Sequence, residues 1–309
     1  PRFGIHTTFV DPTNHDEIRA AITDTTKLFF SEIIGNPGLV ILDVDKVAKI
    51  CADAQIVFMV DGTFNTPYLM APVKNGVNII IHSLTKWMGG HGVAIGGIVV
   101  DGGNFDWGST NKFPTISLPH YAMDGINFYE EFGPAAFTAK FRAEAMYNFG
   151  PSLAPMNAFH ILQGLETLPL RMQRHMENTE KLLEFLSSHE QISWVRHPSL
   201  EEHPQSELAK KMLPKGAGSI ITFGINGGRD AGRKFIETVT LSSHLANVGD
   251  AKTLVIHPAS TTHSHIDSEA MISAGLTDDM IRLSVGLEDI SDIIADFEQG
   301  LKAAKTVTR

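Results

Sequence analysis

Four short apolar segments in the first third of this chain most constrain its fold. They cover residues 28–34, 56–60, 78–82 and 95–100. Near-continuous apolar runs of this length are typical of strands buried on both faces of a sheet. The segment 44–51, between the first two runs, has apolar residues at helical spacing. Because strands joined by helices need crossover connections, we predict an α/β fold with a mostly parallel sheet.

The second half of the chain predicts a smaller α+β unit. Strands are predicted at 219–223 and 254–257, and the last predicted helix covers 289–304. We therefore expect two domains, which are a large sheet domain at 1–165 and a carboxyl-terminal α+β domain at 166–309.

The start of the chain raises a separate expectation. The first residue is Pro1 rather than a methionine, and residues 3–10 (FGIHTTFV) are predicted to form a further strand. The sequence thus begins only two residues before a predicted strand. We expect that an amino-terminal part of the protein is absent from this sequence.

Composition argues against several classes of partner. The chain has 25 Lys and Arg against 35 Asp and Glu, a formal net charge of −10, so a nucleic-acid partner is not expected. No apolar run approaches the ~18 residues of a membrane span, so no membrane partner is expected. Cys51 is the single cysteine, which excludes an internal disulfide and favours a reducing, cytoplasmic location.

Asp61 and Lys86 are the residues best suited to chemistry. Asp61 ends the second apolar run, and parallel sheets bind ligands at the carboxyl ends of their strands. Lys86 follows the third run and is succeeded by Gly89, where the backbone can approach a ligand closely. A lysine amine forms a Schiff base with pyridoxal phosphate, and an aspartate keeps the pyridine nitrogen protonated. The pair suits such a site, although spacing alone fits an exposed lysine on a turn equally well.

A metal site or another nucleophile is the weaker interpretation. The chain has 14 histidines, and His257, His263 and His265 are close in sequence. Metal binding needs three or four converging ligands, and no cysteine or carboxylate pattern supports them here, so no metal is predicted. No Gly-x-Ser-x-Gly sequence occurs, and Cys51 lies on the apolar face of a predicted helix.

Several stretches resemble the motifs of a known family. Residues 60–67 (VDGTFNTP) and 82–86 (HSLTK) are similar to the cofactor-binding signature of the Cys/Met-metabolism family of pyridoxal-phosphate enzymes. Residues 31–37, 257–263 and 281–288 resemble further motifs of that family. The similarity extends over nearly the whole chain.

The resemblance assigns a role to each matching residue. Lys86 would bind the cofactor covalently and shuttle protons, and Asp61 would pair with the pyridine nitrogen. Ser83 and Thr85 would hold the phosphate, which their hydroxyl groups also allow on chemical grounds. The other assignments are Asn36 near the ring hydroxyl and the substrate carboxylate, Arg282 as the clamp of that carboxylate, Ser260 as an orienting group, and Glu32 and Thr63 as further candidates around cofactor and substrate.

The stretches 102–107 and 243–252 resemble the branch of the family that acts on O-acetylhomoserine. This implies an aspartate-aminotransferase-like fold and a γ-replacement that converts O-acetyl-L-homoserine and sulfide into homocysteine and acetate. A thiol in place of sulfide stays open as the sulfur donor. The resemblance also implies a homotetramer, built as a dimer of dimers.

Two alternatives stay open. A cystathionine γ-synthase or γ-lyase would use the same cofactor chemistry on related substrates. The chain also departs from the family pattern: Gly62 stands where most relatives have asparagine, and the amino-terminal segment with the phosphate loop and ring-stacking tyrosine is absent. A truncated, catalytically silent chain is therefore the second alternative.

Overall fold

A four-stranded sheet forms the first half of the protein in the computed structural model, which describes residues 3–261 and 275–307. Its strands β1 to β4 are adjacent in chain order and cover Leu28–Glu32, Val57–Asp61, Ile79–Ser83 and Gly97–Asp101. The pairs β1–β2 and β2–β3 are parallel, whereas β4 is antiparallel to β3. Glu32, Asp61 and Ser83 therefore lie together at the carboxyl edge of the parallel strands.

A five-stranded sheet forms the second half. Its strands β5 to β9 cover Ile192–Arg196, Ile220–Ile225, Ser243–His244, Leu254–Ile256 and Met280–Ser284. Their order is β5-β6-β9-β8-β7, and among these pairs only β7–β8 is parallel. β9 is the central strand, and its residue Arg282 is paired with Thr222 on one side and Ile256 on the other.

Helices and helical turns lie between most of the strands along the chain. In chain order the α-helices of the described residues, α1 to α12, cover His15–Ala21, Val44–Asp53, Thr66–Leu69, Pro114–Ser117, Phe128–Phe132, Ala136–Lys140, Tyr147–Phe149, Pro155–Glu166, Leu168–Ser188, Ser206–Met212, Gly228–Thr238 and Ile290–Lys305. Turns of 3₁₀ or π type cover Pro72–Asn75, Leu84–Met88, Tyr121–Met123, Gly133–Ala135, Phe141–Met146 and Pro258–Ser260. Within the described part of the chain, no helix has both the length and the apolar character needed to cross a membrane.

Aspartate caps explain where two of the longer helices begin. Asp43 Oδ1 accepts a hydrogen bond from Lys46 N at 3.2 Å at the start of α2. Asp289 Oδ1 accepts one from Ser291 N at 2.9 Å at the start of α12. Such caps satisfy amide groups that have no partner within the helix, and each stabilises the helix by about 1 kcal/mol.

Helix α9 connects two hydrophobic cores. Met172, in its first half, packs in the core of the first sheet, whereas Leu182 and Leu186 pack in the core of the second. Met212 of α10 also packs in the first core. The predicted division after residue 165 falls near the end of α8. Residues from both sides of it pack in the first core. The division into two domains stays a prediction.

The structure differs from the sequence prediction at several elements. Residues 3–10 form no strand, so that prediction is wrong; Phe3, Ile5 and Phe9 are exposed there, and no neighbouring strand pairs with the segment among the described residues. The fourth predicted strand is present as β4 but runs antiparallel. The sequence pattern does not predict β5, β7 or β9. The other predicted strands and helices named above are confirmed within a few residues. However, β1 is not buried on both faces as predicted, because Leu28 and Phe30 are exposed.

Candidate active site

One cavity of about 210 Å³ lies at the carboxyl ends of the parallel strands. Residues from both halves of the chain line it, including seven that the sequence singles out: Glu32, Asn36, Asp61, Thr63, Ser83, Lys86 and Arg282. The fold thus brings an amine, two carboxylates and a guanidinium from distant parts of the chain into one space.

The turn after β2 ties Asp61 and Thr63 to the end of β3. Asp61 Oδ1 accepts a hydrogen bond from Thr63 N at 2.7 Å. Thr63 Oγ1 in turn accepts one from Ser83 N at 2.9 Å. The two strand ends are therefore fixed side by side, with a carboxylate and two hydroxyl groups on the cavity wall. A carboxylate in this position is a suitable partner for a protonated ring nitrogen.

Gly62 leaves room for a buried histidine under the same turn. His82 Nδ1 lies 2.8 Å from Gly62 O, and a Cβ atom at Gly62 would lie only 2.7 Å from His82 Cε1. Burial lowers the pKa of His82, although the Gly62 carbonyl and the charge of Asp61 oppose this shift. The neutral ring then donates its Nδ1–H to the carbonyl. The imidazole of His82 therefore occupies the space that a side chain at position 62 would need.

Lys86 lies on the π-type turn that follows β3 directly. The turn is interrupted at Lys86 itself, whose φ of −91° and ψ of −136° are not helical. The amine donates a hydrogen bond to Asn247 Oδ1. Burial lowers the pKa of the Lys86 amine, and the positive charge of Arg282 lowers it further. A lowered pKa keeps more of the amine in its neutral, nucleophilic form.

Close backbone contacts from α8 and from the loop between β7 and β8 fix the lysine turn, Leu84–Met88. A Cβ atom at Gly164 of α8 would lie 2.2 Å from Gly89 O. A Cβ atom at Gly249, in the loop between β7 and β8, would lie 2.5 Å from the buried Trp87 N. Gly249 also has a φ of +73°, which favours glycine. Neither position has space for a side chain, so both neighbours pack directly against the turn that carries Lys86.

Arg282 reaches the cavity from the central strand of the second sheet. Its Nη1 donates to Asn36 Oδ1 at 3.2 Å, and its Nη2 donates to Asn247 O at 3.4 Å. Asn36 N donates in turn to Glu32 Oε2 at 2.8 Å. Partial desolvation raises the pKa of Glu32, the Asn36 amide opposes that shift, and Asp61 adds to it. Arg282 therefore lies where its planar fork can bind a carboxylate in the cavity.

Two of the predicted residues are not among those that line the cavity. Thr85 Oγ1 accepts a hydrogen bond from Gly96 N at 3.1 Å, which ties the lysine turn to the segment before β4. Ser260 Oγ lies 2.8 Å from His257 Nδ1. Their proposed contacts with the phosphate and with the substrate stay predictions.

Asn247 also lines the cavity, although the sequence pattern predicts no role for it. It contacts both Lys86 and Arg282, although it is far from each of them in sequence. Its position depends on how β7, β8 and β9 assemble, which local periodicity does not reveal. The Gly-Asp pair at 249–250 indicates a tight loop here and is the signal that could have drawn attention to it.

Neither metal chemistry nor cysteine chemistry has support in the described residues. They contain no group of three or more His, Cys, Asp or Glu side chains that could hold a metal ion. His263 and His265 lie outside the described residues. Burial raises the pKa of the Cys51 thiol to about 12, so this side chain stays protonated within the first core.

Comparison with known proteins gives the family. The profile of the Cys/Met metabolism PLP-dependent enzymes matches residues 1–302. The chain belongs to this family. It is 45% identical to the O-acetyl-L-homoserine sulfhydrylase of Leptospira meyeri, over 98% of this chain and 70% of that protein. It is also 45% identical to the homocysteine synthase of Schizosaccharomyces pombe, over 98% of this chain and 71% of that protein.

Solved structures of PLP-dependent enzymes have the same fold. A candidate O-acetylhomoserine (thiol)-lyase from Campylobacter jejuni, which contains N'-pyridoxyl-lysine-5'-monophosphate, has a TM-score of 0.90 at 35% identity, over 94% of this chain and 70% of that one. A cystathionine γ-lyase from Lactobacillus plantarum, complexed with L-serine, has a TM-score of 0.81 at 29% identity, over 98% of this chain and 71% of that one. The predicted α/β fold is confirmed.

The cavity suits the cofactor of this PLP-dependent family. An aldehyde needs a primary amine, a pyridine N–H needs a carboxylate, and a phosphate needs hydrogen-bond donors. Lys86, Asp61 and Ser83 supply these groups within one cavity. Family membership and the chemistry of the lining residues therefore agree on pyridoxal phosphate.

Proposed function

We propose that this protein catalyses a γ-replacement in which sulfide displaces acetate from O-acetyl-L-homoserine and L-homocysteine is formed, a step of methionine biosynthesis. The observation that carries the proposal is 45% identity, over 98% of the chain, to an O-acetyl-L-homoserine sulfhydrylase. The cavity that contains Lys86, Asp61 and Arg282 supplies the groups for such a reaction.

Three side chains would hold the cofactor. When bound, pyridoxal phosphate supplies an aldehyde that takes up the substrate amine and a ring that withdraws electrons from the substrate carbons. Lys86 Nζ would hold the aldehyde carbon, the Asp61 carboxylate would bind the ring nitrogen, and the Ser83 hydroxyl would bind the phosphate. Thr63 supports both strand ends from between them, through its bonds to Asp61 and Ser83. Thr85 is a further candidate for the phosphate.

Arg282 would bind the substrate carboxylate. A carboxylate can accept two parallel, charge-assisted hydrogen bonds from one guanidinium, which fixes its orientation as well as its position. Asn36 orients that guanidinium through its side-chain oxygen, and Glu32 holds Asn36 through its backbone amide. Ser260 is a second candidate for orienting the carboxylate. With the carboxylate fixed, the α-carbon of the substrate is directed towards Lys86.

Lys86 would move the protons. Its Nζ, once free, accepts the proton of the substrate α-carbon, and the resulting ammonium returns a proton when the product forms. The lowered pKa of this amine increases the fraction that is neutral, and so able to accept a proton, at physiological pH. Acetate leaves from the γ-carbon and sulfide bonds to that same carbon, so one acetate is released for each sulfide consumed.

Product analysis tests this function. The purified protein is incubated with pyridoxal phosphate, O-acetyl-L-homoserine and equal concentrations of sulfide and cysteine. We expect homocysteine as the main product. Cystathionine as the main product would identify a cystathionine γ-synthase. In separate incubations, cleavage of added cystathionine or methionine would identify a γ-lyase. No product with any donor would identify a silent chain.

A homo-oligomer, specifically a dimer of dimers, is part of the proposal. On α8, Ile161 faces the segment before β4 and lies against Gly96. The same helix exposes Met156, Phe159 and Leu162, which are spaced three residues apart. Exposed apolar faces of this kind mark protein interfaces. Light scattering should give a tetramer, and Phe159→Glu should give a smaller species; a monomeric unaltered protein would contradict the proposal.

We also propose a cytoplasmic location. Cys51 is a free, buried thiol, which suits a reducing compartment. Cell fractionation with an antibody against the protein should find it in the cytoplasmic fraction, and recovery from an extracellular or membrane fraction would contradict this.

A further inference from the structure

Asn247 lies between the two cationic side chains of the cavity. Its side-chain oxygen accepts a hydrogen bond from Lys86 Nζ, and its backbone oxygen accepts one from Arg282 Nη2 at 3.4 Å. One residue thus contacts both the amine that would move protons and the guanidinium that would hold the substrate. The two contacts use different atoms, so a change of the side chain removes only the contact with Lys86.

The loop that carries Asn247 is anchored to both of these regions. Gly249 N donates to Ser284 Oγ at 2.9 Å, two residues beyond Arg282 on β9. Ala251 N donates to Gly90 O at 2.8 Å, just beyond the lysine turn. With the close approach of Gly249 to Trp87, these contacts hold the loop in place. Asn247 therefore presents its carboxamide from a fixed backbone.

We propose that Asn247 is the positioning residue of Lys86: its carboxamide oxygen receives the amine whenever that amine is not bonded to the cofactor. This rests on the proposed function, in which Lys86 is released during each turnover. A free lysine side chain has many rotamers. Fixing one of them near the substrate α-carbon reduces the entropy cost of reaching the geometry for proton transfer. A carboxamide oxygen accepts only, so it favours the ammonium form without adding a charge.

The charges around the amine set the expected direction of each change. Among the described residues, Glu32, Asp61 and Arg282 are the charged side chains that line the cavity with Lys86. Loss of the Asn247 oxygen removes an acceptor that favours the charged amine, so the pKa of Lys86 should fall. An aspartate at this position adds a negative charge at nearly the same place, so the pKa should rise by about one unit or more.

The test is the pKa of Lys86 in cofactor-free protein, stripped with hydroxylamine and measured by competitive acetylation of the lysines at a series of pH values. We expect Asn247→Asp to raise it and Asn247→Ala to lower it. Asn148→Asp, which adds the same charge at an exposed position, should leave it unchanged. Equal pKa values of Lys86 in all four proteins would overturn the proposal.

Kinetics with the cofactor restored give a second, independent outcome. Asn247→Ala should lower kcat about tenfold or more, because Lys86 loses the acceptor that positions it. KM for O-acetyl-L-homoserine should stay nearly constant, because Arg282 contacts the backbone oxygen of Asn247, which the substitution keeps. A raised KM with unchanged kcat would contradict a role in positioning Lys86. The labelling uses neither cofactor nor substrate, so the measured pKa values would stand even if the proposed function failed. Conversely, equal pKa values in all the variants would not contradict the proposed function.

Discussion

The two sheets contribute to the cavity in different ways. The first sheet offers residues at or just after the ends of parallel strands, including Glu32, Asp61 and Ser83. The second sheet offers Arg282 from within its central strand, where neighbours on both sides pair with it. Strand ends carry loops that position chemistry, whereas a central strand gives a rigid base.

This difference predicts a division of labour. Changes at Asp61 and Lys86, at the edge of the first sheet, should affect the chemical step, because these two side chains would act on the cofactor and on protons. Changes at Arg282 should affect substrate binding more strongly. Variants of these residues test whether the division is real.

Lys86→Ala should have the largest effect. Without its amine, the site loses both the covalent attachment of the cofactor and the proton carrier, so turnover should fall by more than about a thousandfold. The yellow absorbance of the cofactor-loaded protein should also be lost. Steady-state assays and a visible spectrum measure both, and Lys74→Ala, at an exposed lysine, is the control. Unaltered turnover in Lys86→Ala would exclude it as the covalent residue.

Asp61→Asn should lower kcat about a hundredfold or more, because an amide cannot keep the ring nitrogen charged. The amide oxygen can still accept the hydrogen bond from Thr63 N, so the turn should stay intact. Asp101 is a matched control, since it ends β4 and accepts a hydrogen bond from Gly103 N at 3.0 Å in the same manner. A similar loss in Asp101→Asn would mean that the effect is structural.

Arg282→Lys should mainly raise KM for O-acetyl-L-homoserine. The ammonium keeps the charge but loses the planar fork, which costs about 1.5 kcal/mol and so raises KM about tenfold. Its kcat should change less than that of Asp61→Asn. Arg233→Lys, at an exposed ion pair with Glu237, is the control. A loss confined to kcat would break the proposed division between the sheets.

The smallest expected effect concerns stability at the junction of the sheets. His175 of α9 has its Nδ1 2.7 Å from Val285 O, just after β9, and burial lowers its pKa to about 4 from the ordinary 6.5. Its contribution to stability is therefore present above pH 6.5 and is lost as the pH falls towards 4. The free energy of unfolding should fall by about 1.4 kcal/mol per pH unit in that range from this group alone.

Denaturant unfolding at pH 7.5 and pH 5 measures this effect. His175→Gln should be less stable at pH 7.5 but should lose less stability on acidification than the unaltered protein. His244→Gln, at an exposed position, should behave as the unaltered protein does. An equal loss on acidification in His175→Gln and in the unaltered protein would refute the assignment.

The first sheet is the more predictable of the two from sequence. Its strands are rich in apolar residues, so their composition reveals them, and Asp61 and Lys86 stand out because they lie at or just after the ends of such runs. β4 is found but its direction is not, since an apolar run does not encode the orientation of its neighbour. Residues 3–10 alternate as a strand does, but a strand needs a partner, and the described structure offers none.

The second sheet depends more on tertiary context. Strand β9 contains a charged side chain, Arg282, at its centre, so its apolar pattern is short and interrupted. The family motif names Arg282, whereas local periodicity does not predict its strand. Asn247 is harder still, because its meaning lies in contacts with Lys86 and Arg282 that only the assembled fold creates.

Borohydride reduction shows directly whether Lys86 binds the cofactor. The protein is loaded with pyridoxal phosphate, reduced, digested and analysed by mass spectrometry. We expect one pyridoxyl group per chain, located on the peptide that contains Lys86. A pyridoxyl group at another lysine, or none at all, would contradict it.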